Sequence, residues 1–207
     1  MLNETTAMLS LVFILHGYNS NSEDMQSLGE EILIKNKNTY VCIPNAFEQI
    51  SPNGYSWFHL EEDLSQTSPA EIDIASEKLK NKIDETITTY SKSMGVPLDY
   101  KNVILIGFSQ GAALALYAGL KYGVKKIVSC SGFLVRQLCS NNKEAETKVL
   151  VIHGGKDELI TKDYVRELST ELNKLNINWE YYEQPNMKHE INRNCVLKLI
   201  SFLNTDK

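Results

Sequence analysis

The chain has 207 residues, 43% of them hydrophobic and 23% charged, a balance that fits one globular domain with a sizeable core. A formal net charge of −5 and a pI of about 5.5, with no block of lysine or arginine, argue against nucleic acid or an anionic membrane surface as partner. Lys125-Lys126 is only a pair and is expected on a solvated loop.

Cys42, Cys130, Cys139 and Cys195 show no C-x-x-C spacing, so neither a metal nor a redox motif is expected. Cys42 and Cys130 lie in apolar runs and read as small core residues in a reducing compartment. Met1–Ser10 carries no basic residue, and the apolar run Met8–Leu15 is short and ends in His16-Gly17. It reads as a first strand rather than a signal peptide. No apolar run approaches the roughly 20 residues a membrane helix needs. The expectation is a cytoplasmic, single domain over 1–207 with no stable membrane insertion.

In chain order, the continuous apolar run Leu9–Leu15 predicts a strand buried on both faces. A loop from His16 leads to Ser22, expected to cap a helix starting near Glu23, with Met25, Leu28, Ile32 and Leu33 on its inner side. Thr39–Ile43 reads as a second strand. Pro44–Pro69 is the longest irregular stretch and is rich in aromatics. A span of that length without structure is usually functional or hides short elements. Ser68-Pro69-Ala70-Glu71 then carries the signature of a capping box with proline in the first turn. The helix it opens has Ile72, Ala75, Leu79, Ile83 and Ile87 as its buried stripe, and Gly95 and Pro97 end it.

Val103–Ile106 is a third strand. It meets Gly107-Phe108-Ser109-Gln110-Gly111 and an Ala/Leu-rich helix that stops at Gly123. Strand, sharp turn and helix around Gly-x-Ser-x-Gly form a nucleophile elbow. Lys126–Cys130 and Lys148–Ile152 are the fourth and fifth strands, separated by a loop over 133–146 with room for one helical turn. A helix over Lys162–Leu175, a sixth strand at Asn178–Tyr182 and a closing helix at Ile191–Leu203 complete the chain. Strands alternating with helices predict an α/β fold with a mainly parallel sheet and ligands at the carboxyl ends of its strands.

Those carboxyl ends are where reactive side chains collect. Ser109 follows the third strand, Asp157 the fifth and His189 the sixth. A neutral serine hydroxyl is a poor nucleophile and needs a base. Of the four histidines, only His153 and His189 follow the elbow, as the order Ser…Asp…His requires. His189 has a carboxylate behind it at Asp157 and is the better base. The oxyanion formed in acyl transfer would be held by the backbone N–H of Gln110 and that of Tyr18, where Gly17 lets the backbone approach.

With these residues placed, the sequence resembles the phospholipase/carboxylesterase family of α/β-hydrolases, which includes acyl-protein thioesterases. Leu15-His16-Gly17 resembles the family's oxyanion-loop motif, and Ile43-Pro44-Asn45-Ala46 its Pro-x-Ala segment. Gly107–Ala112 matches the nucleophile motif residue for residue, Ser131-Gly132-Phe133-Leu134 resembles Ser-Gly-x-Leu, and His153–Asp157 resembles His-Gly-x-x-Asp. The chain departs from the pattern at Tyr18-Asn19-Ser20, which lacks a second glycine, at His59 near a usual aspartate, and at Lys188 before His189. These bear on acyl preference more than on the triad.

The resemblance implies an α/β-hydrolase fold with helices on both faces and no separate cap domain. It implies a serine esterase or thioesterase acting through an acyl-enzyme, without metal or cofactor, on a small or lipid-like acyl ester or thioester, or an S-acylated protein. Phe47, Trp57, Phe58 and Leu134 are the expected walls of the acyl site. A homodimer stays open. The competing readings are a peptidase or amidase on the same triad and a catalytically silent hydrolase fold used for binding. A nucleotide-binding α/β protein is disfavoured because no strand leads into G-x-G-x-x-G or a P-loop.

Overall fold

The computed structural model describes residues 9–139 and 147–205. Its centre is a six-stranded parallel sheet of β1 (Ser10–Leu15), β2 (Thr39–Cys42), β5 (Val103–Phe108), β6 (Lys126–Cys130), β7 (Lys148–Gly154) and β8 (Asn178–Gln184), in the order β2-β1-β5-β6-β7-β8. Side chains alternate across it as strand geometry demands. Leu11, Phe13, Leu15, Val103, Leu105, Val149 and Val151 enter one core, while Val12, Ile14, Ile104, Ile106, Leu150 and Ile152 enter the other.

The first core is covered by α2 (Pro69–Met94), α3 (Gln110–Tyr122) and α4 (Lys162–Lys174). The second is covered by α1 (Gln26–Lys35) and α5 (Arg193–Leu203). The chain leaves β1 toward β2 and leaves β5 toward β6, so the loops after these two neighbouring strands diverge. That divergence opens a crevice at the carboxyl end of the sheet.

The elements largely match expectation, and the differences have local causes. The stretch after β2 holds a small antiparallel hairpin, β3 (Glu48–Ser51) and β4 (Gly54–Ser56). It is not free-standing: Tyr55 N–H donates to Ser20 O at 2.8 Å and Asn19 N–H to Tyr55 O at 3.0 Å, which sews it to the loop after β1. The helical segment near Glu23 is capped by Asn21, not Ser22, because Asn21 Oδ1 accepts from Glu23 N–H at 2.8 Å. Leu33 falls on the solvent side of α1 at 46% exposure, and Gly29 takes the inner position.

Ser68 does cap α2, accepting from Ala70 N–H. Glu71 does not close a capping box: its carboxylate accepts from His59 N–H at 3.4 Å instead. The loop over 133–146 shows no helix across 133–139, and 140–146 lie outside the described residues.

Lys126 is the clearest correction. It opens β6 and is 1% exposed, not solvated. Its Nζ donates to Phe202 O at 3.0 Å, Leu203 O at 3.1 Å and Thr205 Oγ1 at 3.1 Å. The first two are carbonyls at the end of α5, where helix carbonyls lack intrahelical partners, and Phe202 O also accepts from Thr205. Among the described residues the four cysteines are free thiols, with Cys130 and Cys195 buried and Cys42 and Cys139 half-buried. No helix among the described residues is long and apolar enough to cross a membrane.

Candidate active site

Ser109 sits between β5 and α3 with φ 52° and ψ −116°, a region that L-residues with a Cβ rarely adopt. Its neighbours make that turn possible. A Cβ on Gly107 would lie 2.2 Å from Gly111 O, and a Cβ on Gly111 would lie 2.3 Å from Leu15 O. Both positions therefore need glycine, and Gly111 lets the start of α3 close on the end of β1. Ser109 N–H is tied to Cys130 O at 2.9 Å, and Ser109 O accepts from Ala112 and Ala113 N–H. The turn is held from both sides while the hydroxyl stays partly exposed.

The loop after β1 comes up beside it. A Cβ on Gly17 would be 3.6 Å from Ser109 Cβ and 3.2 Å from the Phe108 ring. The next N–H along the chain is that of Tyr18, and the first N–H of α3 is that of Gln110. Helix N-termini present unpaired donors by construction.

This loop is fixed by side chains whose role the sequence left unread. His16 is fully buried. Its Nδ1 donates to Gly17 O at 2.7 Å, and its Nε2 accepts from Ala46 N–H at 3.0 Å. Accepting at Nε2 requires the neutral ring, and burial pushes its pKa down, against smaller upward pulls from the Gly17 carbonyl and the Asp24 charge. Trp57 Nε1–H donates to His16 O at 2.8 Å, and the two rings lie 5.1 Å apart.

Gln110, also fully buried, accepts from Trp57 N–H at 3.0 Å and donates to Phe58 O at 2.6 Å and Ser56 Oγ at 3.1 Å. The available signal was a His and a Gln set among glycines and apolar residues. Such polar groups must find partners when buried.

Asp157 and His189 meet on the other side. Two glycines let their loops touch: a Cβ on Gly154 would lie 2.4 Å from Lys188 O, and one on Gly155 2.7 Å from Pro185 O. Lys156 N–H donates to Met187 O at 2.9 Å and Gly155 N–H to Gln184 O at 2.8 Å. Asp157 Oδ2 then lies 2.8 Å from His189 Nδ1, and Asp157 Oδ1 accepts from Ile160 N–H at 2.9 Å and Leu159 N–H at 3.1 Å. Burial works to raise the Asp157 pKa, but the hydrogen bonds from His189 and Ile160 prevail and hold it below its ordinary value.

An ionised carboxylate only accepts, so Nδ1 carries the proton and Nε2 is left with its lone pair. The His189 ring rests on Phe108 at 4.8 Å, one residue before Ser109. His153, the rival, is buried in the end of β7, and the Asp157 bond goes to His189.

Of the four side chains expected to wall the acyl site, two are buried and two half-buried. Trp57 and Phe58 are 2% and 4% exposed and belong to the core, because the bonds to His16 and Gln110 draw their segment inward. Phe47 packs edge-on to Trp57 at 5.2 Å, with Lys78 of α2 5.4 Å over its ring. Leu134 is half-buried against the same core. No cluster of three or more His, Cys, Asp or Glu able to hold a metal occurs among the described residues.

The comparisons agree with this architecture. Residues 3–207 match the family model described as phospholipase/carboxylesterase. An acyl-protein thioesterase 1 homolog of Dictyostelium discoideum is 27% identical over 200 residues, covering 90% of this chain and 85% of its own. Lysophospholipase-like protein 1 of Mus musculus is 25% identical over 141 residues, 65% of this chain and 56% of its own. Among solved structures, esterase PE8 is 28% identical with a TM-score of 0.75, covering 95% of this chain and 92% of that one. The Bacillus cereus carboxylesterase, 19% identical with a TM-score of 0.78 over 96% of this chain and 89% of that one, shares the fold. The chain belongs to the phospholipase/carboxylesterase family and is an α/β-hydrolase of the esterase/thioesterase kind.

Proposed function

We propose that the chain hydrolyses carboxylic esters or thioesters through an acyl-enzyme on Ser109, with His189 as base and Asp157 as its partner. The observation that carries this is the 2.8 Å Asp157–His189 bond with the ring laid on Phe108 beside the strained Ser109. His189 Nε2 takes the hydroxyl proton as Ser109 Oγ attacks the acyl carbon. The oxyanion is held by Tyr18 and Gln110 N–H. The acyl C–O or C–S bond breaks, and the leaving oxygen or sulfur takes the proton from His189. Water, activated in the same way, releases the acid. Asp157 keeps the ring in the tautomer required and stabilises the imidazolium. Phe47 and Leu134, both half-buried, are the candidates for the acyl side.

The acyl-protein thioesterase homolog supports thioesters as well as esters, and an S-acylated protein as a substrate. The four free thiols support residence in the cytoplasm.

A fluorophosphonate probe tests the assignment: a covalent adduct is expected on Ser109. Ser109→Ala is expected to remove the adduct and lower hydrolysis of a p-nitrophenyl ester by about 10⁶-fold. Near-wild-type turnover by that variant, or no adduct on the wild type, would sink it.

A further inference from the structure

A groove of about 570 Å³ opens beside His189, between α1 and the start of α5. Its floor is apolar, made by Met25, Leu28, Phe108, Ile191 and Val196, and His189 itself forms part of the wall. We infer that this groove is the subsite for the leaving group, and that it favours an alcohol or thiol bearing a positive charge. The inference rests on the hydrolase reading above.

The first half follows from the chemistry of the general acid. When the Ser109 Oγ–acyl bond forms and the acyl C–O or C–S bond breaks, the leaving atom must lie within reach of the proton on His189. The rest of the leaving group therefore extends past the imidazole. The groove walled by His189 and Phe108 offers space there. Toward residues 47–58, Trp57 and Phe58 are packed in the core, and the cavity of about 440 Å³ beside Phe47 and Trp57 is lined by neither His189 nor Phe108.

The second half follows from charge. Asp24, Glu31 and Glu190 line the groove against one cation, Arg193. Arg193 is already paired with Glu31 at 2.5 Å across the gap between α5 and α1. Asp24 accepts from Ser20 Oγ at 2.6 Å and makes no ion pair among the described residues, and neither does Glu190. Asp24 also pulls on the buried His16, so its field reaches into the site. Two carboxylates without a cationic partner beside a closed Glu–Arg pair favour a cation and repel an anion.

The test uses three thioesters with one acyl chain: octanoyl thiocholine, the octanoyl thioester of butanethiol, and the octanoyl thioester of 3-mercaptopropionate. Released thiol is followed at low ionic strength, and kcat/KM is expressed as the ratio of cationic to anionic substrate. Comparing that ratio between proteins cancels the intrinsic reactivity of the probes. Asp24→Asn with Glu190→Gln is expected to lower the ratio by on the order of tenfold, an effect that added salt mimics. Glu31→Gln frees Arg193 and should move the ratio in the same direction. Ratios unchanged in both variants would overturn the charge assignment.

Ser27, exposed on α1 at the groove, gives the second arm. Ser27→Trp should slow acylation more for bulky than for small leaving thiols while the acyl chain-length profile keeps its shape. A shifted chain-length profile would give the groove to the acyl chain and overturn the proposal. Adduct formation with the fluorophosphonate shows that each variant still has its site. Absence of the adduct in the wild type would be failure of the hydrolase reading itself, a separate result.

Discussion

The two sides of Ser109 are held in place by different means. On the oxyanion side, the loop after β1 hangs on buried polar side chains: His16, Gln110 and the indole N–H of Trp57 tie it to the segment 44–58. On the acid–base side the loops meet through backbone, at Gly154 and Gly155, and through one carboxylate, Asp157. The first arrangement stores its precision in hydrogen bonds within a dry interior, where an unmade bond is costly. The second stores it in close approach, where any added atom is costly. A substitution on one side should therefore fail in a different way from one on the other.

Asp157→Asn is expected to have the largest effect of the set. It leaves the loops in contact but favours the wrong His189 tautomer, and kcat should fall by about 10⁴-fold, far more than the modest drop in thermal midpoint expected from losing the ionised carboxylate. Steady-state kinetics with a denaturation curve checks this. An equal fall in stability would mean that Asp157 acts as a fold residue, and the comparison would break.

Gly154→Ala comes next. A methyl 2.4 Å from Lys188 O must displace the histidine loop. A shift of about 1 Å can cost around 100-fold in rate, with about 1–3 kcal/mol of overpacking. Rate and urea midpoint should fall together.

Gln110→Ala sharpens the other side. Its backbone N–H stays, but Trp57 N–H loses its partner, at about 1–3 kcal/mol for a buried group left unsatisfied, and Phe58 O keeps only its bond from Ser56 Oγ. The expected signature is a stability loss that exceeds the rate loss, read from the same two measurements. A variant with normal stability and a lost rate would invert the assignment.

The smallest effect is the dependence on pH. Burial lowers the pKa of both His16 and His153. Each folded-state value thus lies below the unfolded one of about 6.5, so the unfolded chain binds more protons and stability declines as pH falls from above that value toward the folded-state values. Asp157 adds a further loss only below the ordinary carboxylate range, since its pKa is also lowered. Urea midpoints at pH 7.5 and 5.5 should therefore decline, and a His153→Phe variant should decline less.

The fold was legible in the sequence because it rests on short-range pattern, and so was the meeting of Asp157 with His189. Val103–Ile106 running into Gly107 and Ser109 names strand, turn and helix within one window, and parallel topology then brings Asp157 and His189 to the same edge. The oxyanion side was less legible, since its structure is made by contacts between distant segments. The hairpin Glu48–Ser56 exists through its bonds to Asn19 and Ser20, which no local propensity encodes. Trp57 and Phe58 looked like a substrate wall as isolated aromatics, and His16 and Gln110, dozens of residues away, pull them into the core. Lys126 misled for a related reason. A lysine pair reads as solvent-facing unless the chain supplies acceptors 76 and more residues later.

That lysine bears on how the loop carrying His189 is anchored. Helix α5 carries its cap Asn192 three residues beyond His189 at one end, and at the other it closes on Lys126 of β6. Both ends of α5 are thereby tied down, one beside the loop that carries His189 and the other on a strand inside the sheet. The position of that loop thus depends on a lysine far from Ser109 in the fold.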